Sequence, residues 1–171
     1  MAVARSRELA AVALHAYGEM RAAIEGFRQL PNEGESGPAF LRRIARQECD
    51  KHGLRLDLDL AEVEFSRETA WQLGRVVQEA IANAHHHAKA NTITLKIAAT
   101  GDGVELQLGD NGAAVARSVA TDAAKPANGD RFGHYGIEIM AERIAALNGE
   151  LKFQPEAQGA RLCVHLPHTQ L

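Results

Sequence analysis

The sequence predicts a two-layer α/β (α+β) sandwich, a mixed β-sheet with helices on one face. Three observations carry this prediction. Leu54-Arg-Leu-Asp-Leu-Asp-Leu60 alternates strictly between apolar and polar residues, the period of a half-buried strand. Two further alternating runs, through Ile93, Leu95, Ile97 and through Val104, Leu106, Leu108, flank Thr100-Gly-Asp-Gly103, a hairpin signal that makes them antiparallel. Finally, helical and extended segments follow one another irregularly, which a doubly wound parallel sheet would not allow.

The remaining elements read as follows. Residues 4–30 are rich in Ala and free of Pro, with Leu9, Ala13, Ala16, Met20, Ala23 and Phe27 spaced by alternating fours and threes. That spacing suits the seam of a two-helix packing, and equally a helix laid on its own domain's core. Pro31-Asn-Glu-Gly-Glu-Ser-Gly-Pro38 reads as a linker, so the chain divides into residues 1–37 and a domain over 38–171. A helix is expected from Ala39 to Lys51, stopped by Gly53. Ser66, followed by Glu68 and Thr69, marks the start of a long helix reaching Lys89. Residues 113–132 are small and turn-forming and predict a loop. Ile137, Met140, Ile144 and Leu147 then define a helix ended by Asn148-Gly149, and Leu151, Phe153 and Leu162, Val164, Leu166 two last strands.

Composition narrows the function. With 171 residues, 46% apolar and 24% charged, the chain can bury a core as an ordinary soluble domain. A net charge of −3 with scattered Lys and Arg argues against a nucleic-acid partner. Cys49 and Cys163 stand far apart, without the spacing of a zinc site, and read as reduced thiols. No apolar run approaches the ~20 residues of a membrane span, so a cytoplasmic location is expected, as a free protein or as part of an anchored one.

Three segments carry chemistry. On the third helix, at about 100° per residue, Glu79 at zero puts Asn83 near ~40° and His86 near ~−20°. Val77, Ile81, Ala84 and Ala88 gather on the opposite side. A carboxylate, an amide and an imidazole thus share a face whose back can pack on a sheet. Such a face alone usually means solvent, but Asn is a poor choice for a solvated helix interior. Asp110-Asn-Gly112 follows a strand, where a plain turn is the simple reading. Phe132-Gly-His-Tyr-Gly136 opens a helix, placing two glycines where backbone N–H groups could meet an anion. No GxxxxGK[ST] or GxGxxG is present. His85, His86 and His87 are consecutive, so a helix would point them apart rather than onto one metal ion.

Order and spacing are more telling than any one segment. Glu-x3-Asn-x2-basic-His-Ala on a helix, a hairpin, Asp-x-Gly, a loop, then Gly-His-x-Gly-Ile-x-x-Met together resemble the ATP-binding catalytic domain of sensor histidine kinases. That domain has the Bergerat fold of the GHKL group, shared with gyrase and MutL. Gly133-His-Tyr-Gly-Ile-Glu-Ile-Met140 looks like the nitrate-sensor subfamily, whose kinases signal to LuxR-type response regulators. The resemblance spans about residues 41 to 167. It implies that Asn83 coordinates a Mg²⁺ bridging the phosphates of ATP, while Glu79 positions or deprotonates the acceptor. Asp110 would accept a hydrogen bond from the adenine amine, with Gly112 letting the chain pass beside the base. His86, His87, Gly133, His134 and Gly136 complete the implied ATP-binding set, and residues 113–132 would be the lid. Gly159 sits where the family often has a further glycine.

Three departures stand out. Ala114 replaces the second glycine of Asp-x-Gly-x-Gly, and His86 stands where Lys is common. The phosphorylated histidine of the family precedes an acidic residue in the first of two dimerisation helices. Residues 4–30 look like the second of those helices, and the sole candidate there, His15, precedes Ala16. The expectation is therefore an ATP- or ADP-binding kinase portion that transfers phosphate to a histidine outside this chain and dimerises in the full-length kinase. The alternative is a degenerate nucleotide-binding or dimerisation module, and a serine kinase of the anti-sigma-factor type shares the fold. The long first helix and the Gly-His-Tyr-Gly box favour the histidine kinase.

Overall fold

The computed structural model describes residues 30–113 and 131–168. The first-helix seam with His15, Ala114 and the body of the expected lid lie outside these residues. From Pro31 onward the described residues form one compact unit. In chain order it contains α1 (Gly37–His52), β1 (Arg55–Leu60), α2 (Arg67–Asn83), β2 (Thr92–Ala99), β3 (Gly103–Asp110), α3 (Arg131–Ala145), β4 (Glu150–Pro155) and β5 (Ala160–Pro167). The five strands form one mixed sheet in the order β1-β2-β3-β5-β4, with β1 parallel to β2 and every other pairing antiparallel.

The predicted helices form for the predicted reasons, with small shifts. α1 starts two residues earlier than expected, because Gly37 and Pro38 occupy its first turn, where Pro costs no hydrogen bond. Gly53, at φ 66°, ends it in a Schellman arrangement: Leu54 N–H donates to Cys49 O (2.9 Å) and Gly53 N–H to Asp50 O (3.2 Å). Ser66 caps α2 by accepting from Thr69 N–H at 3.0 Å. α3 ends on the same motif as α1, but Asn148 rather than Gly149 takes the left-handed position (φ 51°).

Alternation along the strands becomes a continuous apolar layer through the register. Leu95 lies opposite Leu108, Ile97 opposite Leu106, Leu106 opposite Val164, and Leu108 opposite Leu162. All are buried, and they share one core with Phe40, Leu41 and Ile44 of α1, Leu73, Val77 and Ile81 of α2, and Met140 and Ile144 of α3. Each such side chain contributes about 1.5–3 kcal/mol by leaving water. The helices therefore cover the sheet's apolar face, while Lys96, Gln107 and Cys163 fall on the alternate, outward positions. Cys49 is buried in the core, and its thiol is pushed up to about 11 by burial and by the charges of Asp50 and Glu48, so it stays protonated. Among the described residues no helix is long and apolar enough to cross a membrane.

Glu35 joins the entry segment to α1. Its carboxylate accepts two bonds from Arg43, each 2.8 Å, and one from Asn32 N–H at 2.9 Å. The Arg43 hydrogen bonds hold the carboxyl below its ordinary range against the opposing effect of burial. A depressed carboxyl stabilises the fold above its ordinary value of 4.5 and loses that contribution as pH falls through its lower, folded value. Glu35→Gln keeps the shape and removes the charge. It should lower stability in urea titrations by about 1 kcal/mol at neutral pH, allowing for solvent screening, and by nothing in strong acid.

Candidate functional site

α2 serves the core and the site with different sides. Val77, Ile81, Ala84 and Ala88 are buried, as the helical period requires, whereas Glu79 is exposed and Asn83 half-buried. Asn83 Nδ2 donates to Glu79 Oε1 at 3.1 Å, which orients the amide with its nitrogen toward the carboxylate. Against this pair runs α3. A Cβ on Gly136 would lie 2.8 Å from Glu79 Oε1 and 3.3 Å from Asn83 Nδ2, so an added methyl would have to displace the ends of these side chains.

Asp110 ends β3, and its Oδ1 accepts from Gly112 N–H at 2.8 Å. Two neighbours approach it more closely than a side chain would permit. A Cβ on Gly159 (φ 84°) would fall 1.8 Å from the Asp110 carbonyl oxygen, and one on Gly112 2.5 Å from both Ala88 Cβ and Ala88 O. Gly159 thereby gains the physical reason that sequence spacing alone did not supply. Ala113 N–H donates to Ala88 O at 2.8 Å, tying the residue after Gly112 to the end of the α2 extension.

Between these segments lie two adjoining hollows that open to solvent. Asn83 and Asp110 line both, together with Phe153 and Ala160. The first is completed by Ala80, Leu108, Ile137, Met140 and Leu162, the second by Ala84, Ala88 and Ala113. The walls are thus mainly apolar, with a carboxylate and an amide as the polar groups, the composition of a pocket for a flat heterocycle with polar edges.

Some expectations need correction. The helix carrying Asn83 does reach Lys89, but residues 84–88 form a π-helical turn, closed by Lys89 at φ 54°. A wider turn advances less per residue, so the α-helical wheel misplaces everything after Asn83. His86 does not join the walls of the hollows. Its ring meets His52 of α1 edge-on, 5.4 Å between centroids, and His85 at 4.9 Å. His85 stacks on His52 at 4.5 Å, and partial burial with the nearby His52, His86 and Lys89 lowers its pKa. His87 is exposed and is absent from the walls as well. Among the described residues no three His, Cys, Asp or Glu side chains are arranged to hold a metal ion. The glycines of the Gly-His-Tyr-Gly box lie inside α3 rather than before it, since the helix starts at Arg131. Gly133 and His134 fall among its first four residues, whose N–H groups lack intrahelical acceptors, and Gly136 does not.

Three contributors are not legible in the sequence. Phe153 carries only a strand signal and Ala160 none, though the pairing of β4 with β5 and of β5 with β3 brings them beside Asp110. Asn111 is the variable position of Asp-x-Gly. Its Oδ1 accepts from Asn91 N–H (3.1 Å) and Thr92 N–H (3.0 Å), pinning the Asp110 turn to the start of β2. An Asn flanked by Asp and Gly was the signal available for that role.

Comparison with known proteins bears on the family and the fold. The profile of the family described as "Histidine kinase-, DNA gyrase B-, and HSP90-like ATPase" matches residues 68–170. The chain is similar to the sensor histidine kinase LiaS of Bacillus subtilis (strain 168), 26% identical over 166 residues that cover 96% of this chain and 43% of that protein. It is also similar to the nitrate/nitrite sensor protein NarX of Escherichia coli (strain K12), 26% identical over 150 residues covering 84% of this chain and 22% of NarX. The chain thus spans less than half the length of these relatives. Among solved structures, the blue-light activated histidine kinase of Erythrobacter litoralis EL346 superposes with a TM-score of 0.63 at 21% identity, over 80% of this chain and 43% of that one. The ATP binding domain of PrrB from Mycobacterium tuberculosis does so at 0.56 and 23%, over 77% and 93%. At those identities the likeness establishes the fold, and the family profile, matching more than half of the chain, establishes the family: this chain belongs to the histidine kinase-, DNA gyrase B- and HSP90-like ATPases, and the relatives it matches within them are sensor histidine kinases.

Proposed function

We propose that this chain binds Mg·ATP in the hollows between α2, the end of β3 and β5, and donates the γ-phosphoryl group to a histidine outside it. The observation that carries the reading is the presence of Asp110 and Asn83, from distant segments, in the walls of the same largely apolar hollows. Asp110 would accept the exocyclic amine of adenine, with Gly112 already held on its Oδ1. Phe153, Ile137 and Met140 would pack on the base and keep water from its polar edge. Asn83 would hold Mg²⁺ through its amide oxygen, a hard ligand suited to that cation, because its nitrogen is committed to Glu79. Once bound, the ion would neutralise phosphate charge. Gly133 and the other first-turn amides of α3 would donate to phosphate oxygens.

In the complete kinase the acceptor imidazole nitrogen attacks the γ-phosphorus in line, the bond to the β–γ bridging oxygen breaks, and ADP leaves. Glu79, exposed at the mouth of the site, would position that imidazole or take its proton. Residues 1–37 act in this reading as a dimerisation helix and linker ahead of the catalytic domain over 38–171. The likeness to NarX supports a place among nitrate-sensor-like kinases, homodimeric, facing the cytoplasm and signalling to a LuxR-type response regulator.

Calorimetry with Mg·ADP should show one site per chain, and no binding at millimolar nucleotide would leave the degenerate module. Asp110→Asn should weaken adenine nucleotides by about 1–3 kcal/mol, since a charge-assisted bond is replaced by a mismatched one. Equal affinity of the parent for ATP and GTP would show that Asp110 does not read the base. Gly136→Ala should weaken Mg·nucleotide about tenfold, with the circular dichroism unchanged, because its methyl displaces the Glu79–Asn83 pair. Labelled ATP should leave no acid-labile phosphate on this chain, and label lost specifically in His15→Gln would contradict an external acceptor.

A further inference from the structure

The π-helical turn over residues 84–88 joins the two halves of the site. Its first residue follows Asn83 directly, and its last, Ala88, carries the opposite half: the Ala88 carbonyl receives Ala113 N–H at 2.8 Å, and Gly112 packs on it. Gly112 N–H in turn donates to Asp110 at 2.8 Å. Any slack in this turn therefore changes the separation of Asn83 and Asp110. A π turn is rare, and here it ends the helix at Lys89, so the contacts that meet it bear on its shape.

On the side of α1 it meets the ring of His52. His52, 11% exposed, lies flat on His85 (4.5 Å between centroids, 25° between planes) and meets His86 edge-on (5.4 Å, 81°). In a regular helix residues 85 and 86 would diverge by about 100°, and one ring would not contact both. The His52 ring is itself fixed, since its Nε2 lies 3.0 Å from Oε1 of the buried Glu48, one turn earlier on α1. Glu48 is anchored also by Lys51 Nζ at 3.0 Å.

We propose that His52 is a positioning residue of the nucleotide site: its ring clamps the π turn and thereby sets the spacing between Asn83 and the Asp110–Ala113 segment. This rests on the Mg·ATP reading above, and the experiment separates the two. In the full chain, His52→Ala and His52→Gln remove the ring, the latter keeping a partner for Glu48, whereas His52→Phe keeps a ring of similar size. Calorimetry with Mg·ADP should show the Ala and Gln variants about tenfold weaker, near the upper end of what one ring pair contributes, and the Phe variant within about twofold of the parent. Hydrogen exchange gives a readout that does not need nucleotide. In the Ala and Gln variants protection should fall at the Lys89, Ala90 and Ala113 amides, which bond to the carbonyls of Ala84 and Ala88, and persist in the core strand at Leu106. The Phe variant should keep it throughout. A His52→Ala protein that binds like the parent, or Phe and Ala variants equally weakened, would overturn the proposal. So would protection lost everywhere at once, the mark of general destabilisation. Should the parent bind no nucleotide, the functional reading fails, and exchange at Ala113 alone decides whether His52 holds the turn.

Discussion

The site depends on one close approach of three backbones at the end of β3. The Asp110 carbonyl lies where a Cβ on Gly159 would have to be, and Gly112 lies against Ala88 where its own Cβ would be. These contacts bring the β4–β5 turn, the Asp110 loop and the extension of α2 into register without intervening side chains. Larger residues at either glycine would separate the segments, and the hollows between Asn83 and Asp110 would lose their walls. Glycine at 159 is needed twice over, for its positive φ and for its lack of volume.

The second constraint is that α2 belongs to the core and the site at once. Val77 and Ile81 are fully buried against the sheet, so the helix cannot rotate without exposing them. That rigidity is what presents Glu79 and Asn83 at a fixed angle toward α3. Core packing and site geometry are the same set of contacts, so the position of the polar pair is stabilised by burial that has nothing to do with a ligand. The link from Arg143 of α3 to Gln72 of α2, 3.1 Å, adds a polar tie on the outer side of the same helix pair.

The departure from α-helical geometry after Asn83 redistributes the histidines. Had the helix stayed regular, His86 would have continued the polar face toward the hollows. The wider turn instead sends His85 and His86 onto α1, where His52 and Glu48 lie. His86, read in the sequence as a basic element beside phosphate, also takes part in an interhelical ring cluster with His52 and His85. The polar side chains in the walls of the hollows are those of Asn83 and Asp110.

By itself the sequence determined the elements, because their causes are local. Period-two alternation makes Leu54–Leu60 and the Val104–Leu108 run strands wherever they end up. The Ser66 hydroxyl caps α2 through a residue three positions away, and Asp110-Asn-Gly112 turns by a bond within the same tripeptide. The spacing of Glu79, Asn83 and Asp110 was legible for the same reason. Only the tertiary structure decided what depends on partners distant in sequence. Phe153 became a wall of the hollows through strand pairing, and Asn111 became a pin because Asn91 and Thr92 offer it their N–H groups. His86 packs edge-on against His52, on a helix more than thirty residues earlier in the chain. A residue's neighbours along the chain specify its conformation, but which surfaces meet is specified by burial across the whole sheet, and no local pattern encodes that.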